Sequence, residues 1–318
     1  MTDISLPYKQ LTRYEKWYQV ILVLMLVMSS GFPIALNNKA VDIGVFVFAA
    51  GGLLYFRPNL TRIFAISGLF ALLMCLQTFY HGGFYVRTAI YQVILFAGAA
   101  ISVAILGTNL LYIYIRMLKV IAIISLCIFI PVFIFPSLAQ ILIDLSPFHV
   151  KGVMHAYGLE STSHNILIMH FPPDFFYGLI RNSGPFWEPG AFGGFLLLAL
   201  MFNTLLHDSL LRKENIIFVA ALISTFSTTA YLGLAVFVSM FLFLKLNNRR
   251  LKWGVLAACV LLGALAFVKV GFLGDKIGKE FRELELTAFV RGGDTRMASA
   301  YLDLKELDTP FYLAFGRG

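Results

Sequence analysis

The sequence predicts an all-α, polytopic membrane protein, and three observations predict it. Of 318 residues, 59% are hydrophobic and 13% charged, where a soluble domain carries about 25% charged residues. Mean hydropathy is +0.82, more apolar surface than one soluble core encloses. The apolar residues fall in runs of roughly 20, the length that crosses a bilayer as a helix with every amide paired internally. The net charge of +8 then reads as basic loops held against anionic headgroups, not as a nucleic-acid surface.

The elements follow in order. Lys9, Arg13 and Lys16 precede a first span at residues 17–36, whose apolar run is too long for a cleavable signal core. Further spans are predicted at 40–56, 63–80, 87–106, 118–135 and 190–206. The stretch 215–246, about 32 residues, is too long for one span and short for two. Charge favours two. The loops holding Arg57 and Arg62, Arg116 and Lys119, and Arg212 and Lys213 share the side of the N-terminus, which the positive-inside rule makes cytoplasmic. Placing Lys245, Arg249, Arg250 and Lys252 there too requires a hairpin of two short helices turning near residues 227–231. A single long tilted helix is the other reading of that stretch. A last span at 253–272 makes about nine spans in a single membrane domain.

This topology leaves two long outer segments, 136–189 and 273–318, and long loops in a compact membrane domain are usually functional. Inside the spans ionisable residues are few, chiefly Asp42 and Lys269 near span ends, which counts against a proton relay. Cys75, Cys127 and Cys259 lie in apolar runs and imply neither a disulfide framework nor a metal cluster. His149, His155, His164 and His170 in the first outer segment fit no zinc spacing. His164, His170 and Asp174 are candidates to line a polar cleft there, as is Ser227 at the hairpin turn.

The most informative stretch is Arg181-Asn-Ser-Gly-Pro-Phe-Trp-Glu188-Pro-Gly-Ala-Phe-Gly193, where the first long loop enters a span. Gly184 and Pro185 read as a turn. Pro189 suits the first helical position and puts Glu188 at the N-cap, where the helix dipole favours a carboxylate. Glu188 is there either as a cap paired with Arg181 or as a base facing a sugar hydroxyl, and Phe186 and Trp187 read as interfacial anchors. In the other outer segment stands Arg291-Gly-Gly-Asp294-Thr-Arg296. It is either a solvated loop with an Asp294–Arg296 pair or a clamp whose guanidinium forks hold a diphosphate. Before it, residues 275–286 read as an amphipathic helix at the interface.

The pattern Arg181-x-x-Gly184-x-Phe186-x-Glu188-Pro189-x-x-x-Gly193 resembles the motif of the O-antigen and exopolysaccharide polymerases, a family that includes the O-antigen ligases. Ser224-Thr-Phe-Ser227-Thr-Thr-Ala230 is similar to the small-polar turn of that family's helical hairpin. Arg296 followed by Phe315-Gly316-Arg317-Gly318 is similar to its last outer-loop signature. Three departures stand out. Thr228 replaces the arginine that often follows the hairpin serine. Glu188-Pro189 stands where ligases tend to have His-Pro, which favours a polymerase. The chain stops at Gly318, where the family continues, so a C-terminally truncated sequence is expected.

The resemblance implies a GT-C-like, metal-independent glycosyltransferase without cofactors in the bacterial inner membrane, its N-terminus cytoplasmic. It would polymerise oligosaccharide repeat units carried on undecaprenyl diphosphate into O-antigen or exopolysaccharide. Its partners would be that lipid-linked oligosaccharide, membrane lipids, a chain-length regulator and a flippase, and no nucleic acid. Arg181, Arg291 and Arg296 would bind the diphosphate, and Arg181 and Glu188 would be catalytic. The alternatives are a ligase moving the glycan to another lipid, and a non-enzymatic flippase or exporter of lipid-linked sugars.

Overall fold

The structure, a computed structural model, describes residues 11–35, 38–80, 86–154, 159–172, 180–246, 251–254, 257 and 304–305. Most of the last predicted span and of residues 273–318, the predicted interfacial helix at 275–286, and Asp174, Arg291 and Arg296 lie outside these residues. The described chain is mostly helical. It runs α1 (Arg13–Gly31), α2 (Lys39–Phe56), α3 (Leu60–Tyr80), α4 (Val86–Leu106), α5 (Asn109–Ile134) and a short α6 (Ser137–Asp144). A small sheet follows, of β1 (Phe148–Met154), β2 (Leu159–Asn165) and β3 (His170–Phe171), and then α7 (Pro189–His207), α8 (Lys213–Ser224) and α9 (Thr228–Lys245).

Among the described residues, six helices (α2, α3, α4, α5, α7 and α9) are long and apolar enough to cross a membrane. The protein is therefore an all-α polytopic membrane protein in its main architecture. α1 starts ahead of its predicted span because Thr12 and Glu15 form a capping box: Glu15 N–H donates to Thr12 Oγ1 at 3.3 Å and Thr12 N–H to Glu15 Oε2 at 2.7 Å.

The chain divides into two compact units, one of Met1–Leu69 and Ile90–Leu234, the other of Phe70–Ala89 and Ala235–Gly318. In the first, α5, α7 and α8 pack on one another and α1 lies against α5 and α2. Leu118, Leu196, Leu200, Phe218 and Leu222 are fully enclosed there. Buried amides lock the helices, since an unpaired polar group in this setting costs several kcal/mol. Gln19 Nε2 donates to Ile105 O at 2.9 Å and Gln19 Oε1 accepts from Asn109 Nδ2 at 3.1 Å, tying α1 to the α4–α5 connection. Asn203 Nδ2 donates to Asn215 Oδ1 at 2.7 Å, and Asn215 Nδ2 to Thr204 Oγ1 at 3.1 Å, tying α7 to α8. In the second unit the described contacts are local: Phe237 packs on Phe241, and Lys245 and Lys252 lie over the Phe241 and Phe243 rings.

The long apolar stretch 215–246 is a hairpin, as its flanking charges predict. α8 runs antiparallel to α7, because Asn215 meets Asn203 and Thr204 at one end while Thr225 lies beside Gly193 at the other. α9 runs parallel to α7: a Cβ on Gly193 would sit 2.5 Å from Ala230 Cβ, and one on Gly233 would sit 2.6 Å from Leu197 Cδ2. The chain therefore reverses between α8 and α9. The break falls at 225–227, slightly earlier than predicted, where Thr225 is the α8 C-cap and Phe226 takes a positive φ of 44°. α8 has 12 residues, about 18 Å of helix against about 30 Å of hydrocarbon.

The segment between α6 and α7 holds structure that the all-α prediction omits, the antiparallel sheet in the order β1-β2-β3. Its register pairs His149 with His164, and Asn165 with His170. It is seated on the helices by an apolar cluster of Phe129 and Val132 from α5, Ala139 from α6, and Met169 and Phe171, with Ile180 and Phe226 packed against it.

Candidate functional site

The segment singled out by sequence, 181–193, sits at the end of the first unit that carries the sheet. Its geometry starts with Asn182, which is fully buried. The Asn182 N–H donates to Ser224 O at 3.0 Å, and Nδ2 donates to Ser224 Oγ at 2.9 Å and Ser125 Oγ at 3.3 Å. Its Oδ1 accepts the Gly184 N–H at 2.9 Å. That last bond closes a tight turn at Gly184, whose φ of +50° is a left-handed value best suited to glycine. Arg181 Nε donates to Thr225 O at 3.1 Å. A cation thus meets the last carbonyls of α8, where both the dipole and the unmatched acceptors favour it. The first motif and the hairpin turn are consequently one structure: residues 181–182 cap the helix that ends at 224–225.

The next residues dock on the first helix. Phe186 is fully buried, stacked on Phe192 at 5.3 Å and against Phe195 at 4.5 Å, with the Phe32 edge at 5.6 Å. Its ring lies against Gly31 so closely that any side chain there would collide. Trp187 N–H donates to Gly31 O at 3.0 Å. The expectation that Phe186 is an interfacial anchor is corrected: it is a core plug, because aromatic partners from α1 and α7 enclose it. Trp187 is 38% exposed, which suits an interfacial position.

Glu188 is the residue before α7, with extended backbone (φ −150°, ψ 158°) and Pro189 as the first helical residue. Its side chain makes no capping hydrogen bond. The carboxylate turns instead over the first turn of α7: the Cβ position of Gly190 lies 3.3 Å from Glu188 Oε1 and 3.5 Å from Ser227 Oγ. Glycine at 190 leaves that space open, so the carboxylate and the Ser227 hydroxyl share one small site. Ser227 is buried and its Oγ accepts the Ala230 N–H at 3.4 Å, which starts α9. Arg181 stands near enough for its charge to act on Tyr231, whose hydroxyl donates to Ile223 O.

Of the sequence-predicted residues, Arg181, Glu188 and Ser227 come together at the α7 entry and the hairpin turn. His170 has a different place. It is buried at 3% exposure, its N–H donates to Gly184 O at 2.6 Å, and its carbonyl accepts from Ser183 Oγ at 2.7 Å. It holds the loop from beneath. Burial, with His164 nearby, lowers its pKa to about 4, so the ring is neutral near pH 7. His164 is half-buried on β2 and faces His149, Nδ1 to Nδ1 at 3.0 Å; burial, then the His149 charge, lowers its pKa. Among the described residues no group of three or more His, Cys, Asp or Glu is placed to hold a metal. Sequence reasoning overlooked Asn182, Ser125 and Gly31. Asn-Ser-Gly is a recognisable turn signal, but nothing at Ser125 or Gly31 distinguishes them from other small residues in apolar helices.

Fold and site together define a helical, multi-pass membrane protein with a polar cluster at one end. Comparison with protein-family models, with curated proteins and with solved structures finds no match to this chain.

Proposed function

We propose that this protein is a membrane glycosyltransferase that polymerises undecaprenyl-diphosphate-linked oligosaccharides into O-antigen or exopolysaccharide. The observation that carries the reading is the meeting of the 181–193 segment with the 224–230 turn, which gathers Arg181, Glu188 and Ser227 at one end of the helices. Both stretches resemble motifs of the polymerase family, and here they meet in one structure at the end of α8. In this reading the site lies at the outer face of the bacterial inner membrane, with the N-terminus cytoplasmic and about nine spans in a GT-C-like arrangement. Arg181 is aimed by its bond to Thr225 O and neutralises the diphosphate as the sugar–phosphate bond breaks, a role the family resemblance also gives to Arg291 and Arg296. Glu188 orients the acceptor hydroxyl and takes its proton as the new bond forms. The diphosphate leaves as an anion and needs no separate acid.

The test is reconstitution of the protein in vesicles with an undecaprenyl-diphosphate-linked repeat unit, with products resolved on a gel. The expected result is a ladder of lengths that disappears in Arg181→Ala and Glu188→Ala while both variants stay folded. A single transferred glycan on a different lipid would replace polymerase with ligase. Movement of the repeat unit across the bilayer without new glycosidic bonds would replace enzyme with flippase.

A further inference from the structure

The turn between β2 and β3 has a composition that water does not suit. It is closed by two bonds: Asn165 Oδ1 accepts the Leu167 N–H at 2.6 Å, and the Ile166 N–H donates to Met169 O at 3.0 Å. Met169 is enclosed beneath it, while Leu167 and Ile168 are 46% and 45% exposed. Leu167 takes a φ of 69°, a left-handed value that glycine or asparagine adopts readily and that strains a leucine. In water the tip would combine that strain with the exposure of two large apolar side chains. Among hydrocarbon chains the second cost disappears.

The surroundings of the tip place it at membrane depth. Leu167 and Ile168 line an open groove of about 660 Å³ together with Leu24 of α1, Val120 and Ile124 of α5, and Pro185 of the site loop. Ile124 precedes Ser125, which the buried Asn182 reaches with its amide. Ile134 ends α5 nine residues after Ser125, about 14 Å further along the helix. α5 has 26 residues, about 39 Å of helix against about 30 Å of hydrocarbon. Even if all of that excess projected on the sheet's side, Ser125 would lie inside the hydrocarbon. Beyond the end of α5, α6 exposes Leu138, Ile141 and Leu145 along one side and Gln140 and Asp144 along another, the two-faced pattern of a helix lying on the interface. The tip lies at the level of Ile124, deeper than that helix.

We propose that the β2–β3 turn is a membrane-dipping tip, with Leu167 and Ile168 among the acyl chains of the leaflet on the sheet's side. Continuity identifies the partner as lipid. Leu24, Val120 and Ile124 are exposed on helix faces, α5 is long and apolar enough to span, and the tip extends the same apolar surface. A soluble partner would have to enter the bilayer to cover it. The tip is also tied to the site loop: the His170 N–H donates to Gly184 O at 2.6 Å, and Ser183 Oγ donates to His170 O at 2.7 Å. The bilayer therefore sets the height of residues 181–193, whatever reaction they carry out.

The experiment is spin labelling of the full chain in vesicles of phosphatidylglycerol and phosphatidylcholine. Cys75, Cys127 and Cys259 are replaced by serine, and a nitroxide is attached at one introduced cysteine. Power saturation then compares collisions with oxygen, which concentrates in hydrocarbon, and with a nickel chelate, which stays in water. Labels at Leu167→Cys and Ile168→Cys should match one at Ile124→Cys and favour oxygen severalfold more than one at Thr162→Cys, an exposed position on β2. Adding Leu167→Asn, which suits the left-handed backbone but is polar, should lower the oxygen preference at Ile168→Cys. Three results would overturn the proposal: tip labels that match Thr162→Cys, tip labels shielded from both reagents, as a covering protein would shield them, or an oxygen preference untouched by Leu167→Asn. Ile168→Cys leaves the strained leucine in place, so the measurement does not depend on Leu167→Cys folding.

Discussion

Asn182 shows how one side chain can organise a loop. At zero exposure it uses its amide oxygen on Gly184, its amide nitrogen on Ser125 and Ser224, and its own backbone N–H on the Ser224 carbonyl. Truncation would strand the Gly184 N–H in the interior and take the amide away from Ser125 and Ser224. Asn182→Ala is therefore expected to cost about 2–3 kcal/mol, read as a clear drop in thermal midpoint in detergent. A midpoint that moves no further than for an exposed substitution such as Thr162→Ala would show that the loop is held some other way. His170 makes a second claim at this scale, one with a pH sign. Its folded pKa of about 4 lies below the ordinary 6.5, so the unfolded chain binds the proton more readily. The stability from neutral His170 is present above about pH 6.5 and is lost as pH falls towards 4, at most about 3 kcal/mol. The thermal midpoint should fall between neutral pH and about pH 5, and the fall should be smaller in His170→Gln. An equal fall in both would place the sensitivity elsewhere, with the His149–His164 pair next in line.

Among elements, the hairpin depends on one close contact. α9 lies along α7 only because Gly193 and Gly233 leave room for Ala230 and Leu197. Gly193→Leu drives a side chain into Ala230 and is expected to cost about 1–3 kcal/mol or more by overpacking. It should also displace the 225–227 turn, and with it Ser227 and the Arg181 contact. Loss of activity in Gly193→Leu with partial recovery in Gly193→Ala would support this; equal activity in all three would show that the turn is set by α8 alone. The hairpin was legible in the sequence through charge, since Arg212, Lys213 and Lys245 had to share a side. The turn position was not, because a run such as Ser224-Thr-Phe-Ser227 offers several equally good caps, and only packing against α7 selects one. The sheet was not legible for a related reason. Its strands include stretches such as Glu160-Ser-Thr-Ser-His164, without the apolar alternation that marks a strand, and its apolar support comes from Phe129 and Val132 far away in sequence.

For the whole molecule, membrane residence was legible because apolar runs of span length leave few alternatives, and six of the described helices meet that standard. The candidate site was legible only in part. Arg181 and Glu188 announce themselves by type and by the proline that follows Glu188, whereas Gly31 matters only because Phe186 needs its space. The predicted topology is open to a direct check. With Cys75, Cys127 and Cys259 replaced by serine, Leu211→Cys and Thr162→Cys should label from opposite faces of a sealed vesicle with an impermeant maleimide. Both positions are exposed, one between α7 and α8 and the other on β2. Labelling from the same face would remove α7 as a span.

The bond from Trp187 to Gly31, with Phe186 lodged beside it, also bears on how the chain is made. Gly31 ends α1, and Trp187 follows only after α2 to α6 and the sheet have been synthesised. Until then the C-terminal end of α1 has an open notch where the Phe186 ring belongs. The site loop cannot fold as each helix enters the bilayer; it closes late, on a helix laid down well before it. A chain halted before residue 181 would carry α1 through α6 and the sheet and yet lack the half of the clasp that Phe186 and Trp187 supply. Assembly of the polar cluster thus marks the point at which the insertion machinery has delivered both α1 and α7.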